Sequence, residues 1–380
     1  MKSGIVRYKI YFFANLGDWN KKTYGGGEVG NRRTLELLKR TPFEIVLIPK
    51  YNRVNSHSFM NLIILVCKMF RNICRFAYVL LCGQRKKSLV HITGFYGSVI
   101  YFEFVLVLIS KKLGYRTIYE MRGGGADLFY SKGNFLYKYC FRKTLNQADL
   151  IFSQGKENYS FIHSLFSKKD IFYYPNYVMS NFYPKQYIGK PDNKINLVYF
   201  GRITSTKNID IILDTFILLE KKYDNMFLYI VGNCSNKVYY NQLINRIKKL
   251  NRGGRVHIEP ACSHDELKEF LKDKHFYIFP TTEPHEGHSN ALTEAMSWGL
   301  IPVTTDNGFN KSVIGNEKLI VTKVEGEEFA RVITEIIEKN IYNDISKSMY
   351  DRVQSNYTDC IILDKLRNKY NEIFASNLYF

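Results

Sequence analysis

Two carboxylates and two imidazoles crowd one short segment, "TTEPHEGHSNALTEAMSWGLIPVTTDNG", residues 281–308. Glu286 and Glu294 stand eight positions apart, around a glycine and the start of an apolar helical run, with His285 and His288 flanking the first. Zinc hydrolysis would need the spacing H-E-x-x-H, which puts two histidines on one helix face at i and i+4. "HEGH" is one residue short, and Pro284 and Gly287 make it a turn. No convincing covalent nucleophile accompanies it.

A clamp for a phosphorylated ligand explains more of the residues. The chain leaves an apolar strand, "FYIFPT", turns, and enters the helix "ALTEAMSWG", which Ser289 or Asn290 can cap. The first N–H groups of such a helix bind phosphate readily. Glu286 lies in the loop just before that start and Glu294 about one turn inside, so the two carboxylates bracket the phosphate position. Carboxylates accept hydrogen bonds from sugar hydroxyls, and a nucleotide-sugar carries a hydroxyl-rich ring on each side of its diphosphate. Cations for the diphosphate appear at a second strand end, "YFGRITSTKN" (199–208), where Gly201 ends the strand and Arg202 and Lys207 follow. Arginine offers a fork for two oxygens and lysine a mobile point charge. There is no D-x-D pair to carry a divalent ion, and neither a metal nor a cofactor is expected.

"GGGEVG" (25–30) formally matches the dinucleotide pattern G-x-G-x-x-G, but it starts well after the first strand ends, and the second strand closes on Pro49 and Lys50 where an acidic residue is needed. Gly26 and Gly27 read instead as a loop whose backbone approaches a ligand ahead of a helix over 28–40.

These motifs need elements to position them. Twelve strand candidates run along the chain: 8–15, 43–49, 88–93, 116–121, 149–154 and 171–175, then 196–201, 226–232, 255–260, 276–281, 301–305 and 318–322. Helical patterns fill most intervals, the signature of parallel sheets built from βαβ units, twice over. At 380 residues two domains are expected: 1–185 and 195–380, joined by "YPKQYIGKPDNK" (183–194). "SHDE" sets a capping box from Ser263 to Glu266. The strand-free tail after about residue 340 reads as helical and able to pack back on the first domain.

Composition is that of a globular protein, 46% hydrophobic. Seven cysteines without a C-x-x-C pair read as reduced thiols in a cytosolic protein, and the N-terminus as a lead-in to the first strand rather than a signal peptide. Charge is uneven. Residues 1–190 hold 30 Lys+Arg against 10 Asp+Glu, net +20; residues 191–380 hold 24 against 25, net −1. A basic half attracts polyanions or an anionic membrane. No zinc-finger, helix-turn-helix or RNP-type signature supports a nucleic-acid partner. The apolar stretch 59–83 contains Lys68, Arg71 and Arg75. Each would cost about 2.5–3.5 kcal/mol at mid-bilayer, which leaves a core helix with one basic face or a helix lying on an anionic membrane. Residues 97–110 read as a buried crossover helix.

With "FGRITSTKN", the 281–308 block and the strand order between them, the chain resembles the GT-B glycosyltransferases, specifically the large retaining family-four group; "YGGGEVGNRRTLELL" and "LVHITGFYGSVI" match more loosely. The resemblance implies two Rossmann-like parallel-sheet domains facing a cleft, an acceptor-binding first domain and a nucleotide-sugar-binding second one. It implies that Arg202 and Lys207 bind the diphosphate, that Glu294 holds the ribose, that Glu286 sits at the donor sugar, and that Ser289, Asn290 and Ala291 present backbone to phosphate or sugar. His91 matches a recurrent histidine at the end of the third strand, with packing as its alternative role. Arg122 stands where many relatives place a histidine, and could meet the diphosphate or an anionic acceptor. His288 stands where an aromatic residue is frequent, which would make it a sugar-facing group. The implied reaction is metal-independent, retaining transfer of a hexose or N-acetylhexosamine, from a UDP-sugar in preference to a GDP-mannose-type donor. The implied acceptor is a lipid-linked or oligosaccharide chain in bacterial surface polysaccharide assembly, at the inner face of the plasma membrane. A non-catalytic nucleotide-sugar-binding protein is the rival reading.

Overall fold

The structure, a computed structural model, describes residues 8–17, 26–50, 59–250 and 254–375. Glycine-loop residue Gly25 lies outside them. The chain divides into two compact units: residues up to Pro175 together with those from Ile362 on, and Asn176–Ile361. The segment read as a linker, 183–194, lies inside the second unit.

The first unit is a six-stranded parallel sheet of β1 (Lys9–Ala14), β2 (Glu44–Pro49), β3 (Ser88–Gly94), β4 (Arg116–Met121), β5 (Leu150–Ser153) and β6 (Ile171–Tyr173), in the order β2-β1-β3-β4-β5-β6. Its helices are α1 (Gly26–Lys39), α2 (Phe59–Leu81), α3 (Ile100–Lys112), α4 (Ala126–Lys132), α5 (Phe135–Gln147) and α6 (Glu157–Leu165). The second unit repeats the plan with β7 (Ile195–Phe200), β8 (Met226–Val231), β9 (Val256–Glu259), β10 (Phe276–Phe279), β11 (Ile301–Thr305) and β12 (Ile320–Val321), in the order β12-β11-β10-β7-β8-β9. There the helices are α7 (Ile209–Glu220), α8 (Lys237–Leu250), α9 (His264–Leu271), α10 (Asn290–Ser297), α11 (Asn310–Ile314), α12 (Gly326–Glu338) and α13 (Tyr342–Asn356). The last helix, α14 (Asp359–Ala375), returns the chain to the first unit. This is the α/β plan of two Rossmann-like sheets expected from the alternating pattern. Helices on both faces explain why strands such as β3 and β11 are buried along their whole length rather than alternating.

Two buried carboxylates organise the first unit. Glu103 sits inside the apolar run of α3 and is fully buried. It accepts from the amides of Phe95 and Tyr96 at 2.9 and 3.2 Å and from the Tyr119 hydroxyl at 2.6 Å, which fixes the loop leaving β3. Phe95 in that loop explains Gly27: a Cβ there would lie 2.7 Å from its ring. The glycines thus open α1 itself, which begins at Gly26, rather than forming a loop ahead of it.

Glu120, at the end of β4, binds the His91 Nε2 at 3.0 Å and the Arg122 Nη2 at 2.7 Å. Burial pushes this carboxyl up, but Arg122 and His91 together outweigh burial and hold it below its ordinary range. His91 Nδ1 meets the Tyr370 hydroxyl of α14 at 2.6 Å. His91 is therefore fully buried with both ring nitrogens engaged. Arg122 is likewise buried, its Nη2 also donating to Thr34 Oγ1 at 2.9 Å. Removing one member of such a cluster strands the others as buried charge. Glu120→Ala is expected to cost about 3–5 kcal/mol, read as a lowered urea midpoint by circular dichroism; an unchanged midpoint contradicts the network's role.

Candidate active site

In the second sheet, β7 leads through α7 to β8 and β9 on one side, and β10 returns to the other side of β7. Where the strand order reverses, the loops leaving the carboxyl ends of the two strands diverge and leave a crevice, the general ligand position of open α/β sheets. "GRITSTKN" leaves β7 and "TTEPHEGHSN" follows β10, so both motifs fall at this one point. The two loops are laced together. The Thr282 amide donates to Thr206 O at 2.8 Å and Thr206 Oγ1 to Glu283 at 2.9 Å. Asn208 Nδ2 donates to Pro280 O at 2.7 Å and to Thr282 Oγ1 at 3.0 Å. Asn208 is left-handed, with φ of 50°, a conformation asparagine tolerates better than most residues.

Lys207, in a 3₁₀ turn over Ser205–Lys207, is ion-paired to Glu286 across these loops. Thr281 Oγ1 bridges them, accepting from Lys207 Nζ at 3.1 Å and donating to Glu286 Oε2 at 3.0 Å. The ammonium also lies 4.9 Å from the centre of the Phe279 ring. Both side chains are largely out of solvent, 8% and 12% exposed. Gly308 holds the Glu286 backbone from behind: its φ is +59°, and a Cβ would fall 2.1 Å from Glu286 O. Gly201 (φ +144°) and Gly232 mark a second close approach, where a Cβ on Gly232 would meet Gly201 O at 1.9 Å.

Two buried tyrosines beneath the loops record how the charged groups converge. Burial pushes the Tyr199 phenol well up; Glu286 pushes it further and Arg202 pulls it back. Burial does the same to Tyr277, with Tyr199, Glu286 and Glu294 adding to the rise. Arg202 itself is exposed, its carbonyl held by the Tyr199 hydroxyl at 2.5 Å. Ser289, not Asn290, caps α10, its side chain accepting from the Leu292 amide at 3.4 Å. Gly287, Ser289, Asn290 and Ala291 are half-exposed, so the helix start is open to a ligand. One turn in, Glu294 is nearly buried and meets His264 Nε2 at 3.3 Å. His264 opens α9 behind the Ser263–Glu266 capping box, which forms as the sequence indicates.

The structure thus gathers Gly201, Arg202, Lys207, Glu286, Glu294 and the 289–291 helix start in the second unit. His288 departs from its expected place. Its side chain is 3% exposed, edge-on to Tyr357, with Nε2 2.6 Å from Thr293 Oγ1. It is packed within the second unit. Gly26, Gly27, His91 and Arg122 belong to the first unit. Sequence reasoning missed Thr281, Asn208, Tyr199, Gly308 and His264. Only Gly308, in "TTDNG", carried a visible signal. Among the described residues, no group of three or more His, Cys, Asp and Glu side chains is placed to hold a metal ion.

Residues 184–354 match the family described as "Glycosyl transferases group 1". This segment is a group 1 glycosyl transferase domain. The switch-point loops, the Lys207–Glu286 pair and α10 all lie within it. A probable sucrose-phosphate synthase of Thermosipho melanesiensis is 30% identical over 197 residues, covering 50% of this chain and 45% of that protein. The chain spans about half the length of the first curated relatives it matches. Among solved structures, sucrose-phosphate synthase from Thermosynechococcus elongatus aligns with a TM-score of 0.74 at 15% identity, covering 97% of this chain and 100% of that one. HepE of Anabaena in complex with UDP aligns at 0.67 and 13%, covering 96% and 100%. At these identities the structures show the fold, GT-B.

Two outcomes follow for the group 1 domain. Gly308→Ala is both strained and blocked, and is expected to lose about 1–3 kcal/mol, read as a lower melting temperature; a wild-type melt contradicts the contact. Burial pushes the His288 imidazole down to about 3, with Arg352 adding. It pushes His275 down to about 4, with Lys190 adding, against the hydrogen bond to Pro191 O. Both are neutral in the fold, while the unfolded chain protonates them near ~6.5. Their stability is therefore complete above that pH and falls as the pH drops toward 4, by up to about 1.4 kcal/mol per unit for each. His288→Gln and His275→Gln should each flatten the melting temperature against pH between 7 and 5; an unchanged slope contradicts the assignment.

Proposed function

We propose that the chain is a retaining glycosyltransferase whose donor, a nucleoside diphosphate sugar, binds the second unit at the β7–β10 switch point. The observation that carries this reading is the meeting of Lys207, Glu286 and an open helix start at the ends of these two strands. In this reading the diphosphate lies against the 289–291 amides, with Lys207 and the exposed Arg202 taking up its charge. Glu294 accepts from ribose hydroxyls and Glu286 from the sugar. Lys207 is shared between Glu286 and phosphate once the donor is bound.

In transfer, the bond from the anomeric carbon to the phosphate oxygen breaks, and the acceptor hydroxyl oxygen bonds to that carbon from the same face. The hydroxyl proton passes to the departing diphosphate. Stabilising the leaving group electrostatically is the protein's main contribution. A UDP-sugar is the favoured donor, in line with the UDP bound by the structurally similar HepE, and GDP-mannose is the competing one. The acceptor we propose is a lipid-linked saccharide of bacterial surface polysaccharide assembly, met at the inner face of the plasma membrane, in keeping with the net charge of +20 over residues 1–190. Gly26 and Gly27 are assigned to the acceptor side.

A panel of UDP- and GDP-sugars is screened by thermal shift, since a ligand of the native state raises the melting point. The stabilising donor is then given to membrane lipid extracts, and the product's anomeric configuration is read by NMR. Lys207→Ala and Glu286→Ala should each lower turnover about 10²–10³-fold while circular dichroism stays native. Wild-type turnover in both removes the site. A donor shift with no transfer and no donor hydrolysis favours the non-catalytic binding protein.

A further inference from the structure

The outer face of α2 is apolar where a soluble helix should be polar. Its inner face is built normally: Phe76 and Leu80 are fully buried, and Met69, Ile73 and Val79 pack on the core of the first unit. A helix satisfied on that side should present polar residues on the other. Instead the first two turns are exposed nearly all round, with Met60, Leu62, Ile63, Ile64 and Val66 at 40–65%, and further along the side away from the core Phe70, Tyr78 and Leu81 are 62–68% exposed. Single exposed apolar residues mean little, but a continuous row marks an interaction surface.

The charges around this row indicate what covers it. Arg71 and Arg75 are exposed on the flank of the helix that carries Tyr78, and Arg85, Lys86 and Lys87 are exposed just beyond the helix. No carboxylate occurs anywhere between Glu44 and Glu103. A protein partner is ordinarily met with both signs of charge, whereas uninterrupted positive charge around an apolar stripe suits an anionic bilayer surface. No helix among the described residues is long and apolar enough to cross a membrane, so α2 would lie along it. The neighbouring layer has the same character. α3 packs between α2 and α5 on one face of the sheet, with Tyr101 against Tyr137 and Phe104 against Tyr139. α5 exposes Phe135 at 85% and Leu136 at 57%, with Lys143 5.7 Å from the Tyr139 ring.

We propose that the outer face of α2, extended by the N-terminal turn of α5, seats the protein on an anionic lipid bilayer, its apolar row in the acyl boundary and its arginines among the headgroups. This names the membrane contact of the lipid-linked acceptor reading and rests on that reading for its purpose, while the geometry stands apart from it. Full-length protein is sedimented with phosphatidylcholine vesicles, with and without phosphatidylglycerol. Binding should be about tenfold stronger with the anionic lipid. Val66→Glu with Phe70→Glu should weaken it about tenfold, as should Arg71→Gln with Arg75→Gln. The melting temperature and the donor-induced shift should be unchanged; Met60→Ser with Leu62→Ser replaces the glutamate pair if that pair does not fold. Failure of wild type to bind anionic vesicles, or binding by the variants at wild-type strength, overturns the proposal. So does a wild-type dimer that Val66→Glu with Phe70→Glu turns into a monomer, since a second copy would then cover the face. Vesicle binding without any donor response supports this surface and counts against the catalytic reading instead.

Discussion

A lysine and a glutamate from different loops, neither well solvated, are held together at the one place in the second sheet where the strand order reverses. Much of the local construction serves that pair. The threonine and asparagine hydrogen bonds that lace the loops fix where each charge stands. Thr281 fixes the angle between them, and Gly308 lets the backbone behind Glu286 come close enough. Burial makes the arrangement sensitive: in a low-dielectric site an unmatched charge is costly, while a third charged partner is felt strongly. A ligand that brings negative charge to Lys207 and hydroxyls to Glu286 can compete for both without leaving either unsatisfied.

The two units share an architecture and differ in what they do with buried charge. In the first, Glu120 collects His91 and Arg122 beneath the strand ends, and Tyr370 of the last helix closes over the histidine. That cluster ties the end of the chain to the middle of the first sheet. In the second, the charged groups stand at the carboxyl ends of the strands beside a helix start that remains open. A buried network of the first kind rigidifies; one of the second kind is available for recognition.

All twelve strands were legible as apolar runs, because a sheet covered on both faces demands continuous hydrophobicity. The weakest, at 318–322, shrinks to β12 behind a 3₁₀ turn over Glu317–Leu319. The Glu286–Glu294 spacing and the basic turn at 202–207 were legible for a different reason: both abut strand ends, and strand ends are where parallel sheets bind ligands. The histidines were not. His91 and His288 read like His285 in one dimension, and only three-dimensional packing shows that two are interior. Thr281, Asn208 and Tyr199 were invisible because threonine, asparagine and tyrosine are common at strand ends, and their importance lies in partners distant along the chain. The sequence of 59–83 fits a core helix and a membrane-surface helix alike, and the structure shows both faces apolar, one packed and one not.

The most direct measurement of the central claim is a crystal structure of the full chain with a nucleoside diphosphate. The account requires phosphate oxygens within hydrogen-bonding distance of Lys207 Nζ and of the amides at 289–291, and the ribose against Glu294. A diphosphate seated elsewhere, with the Lys207–Glu286 pair untouched, would contradict it.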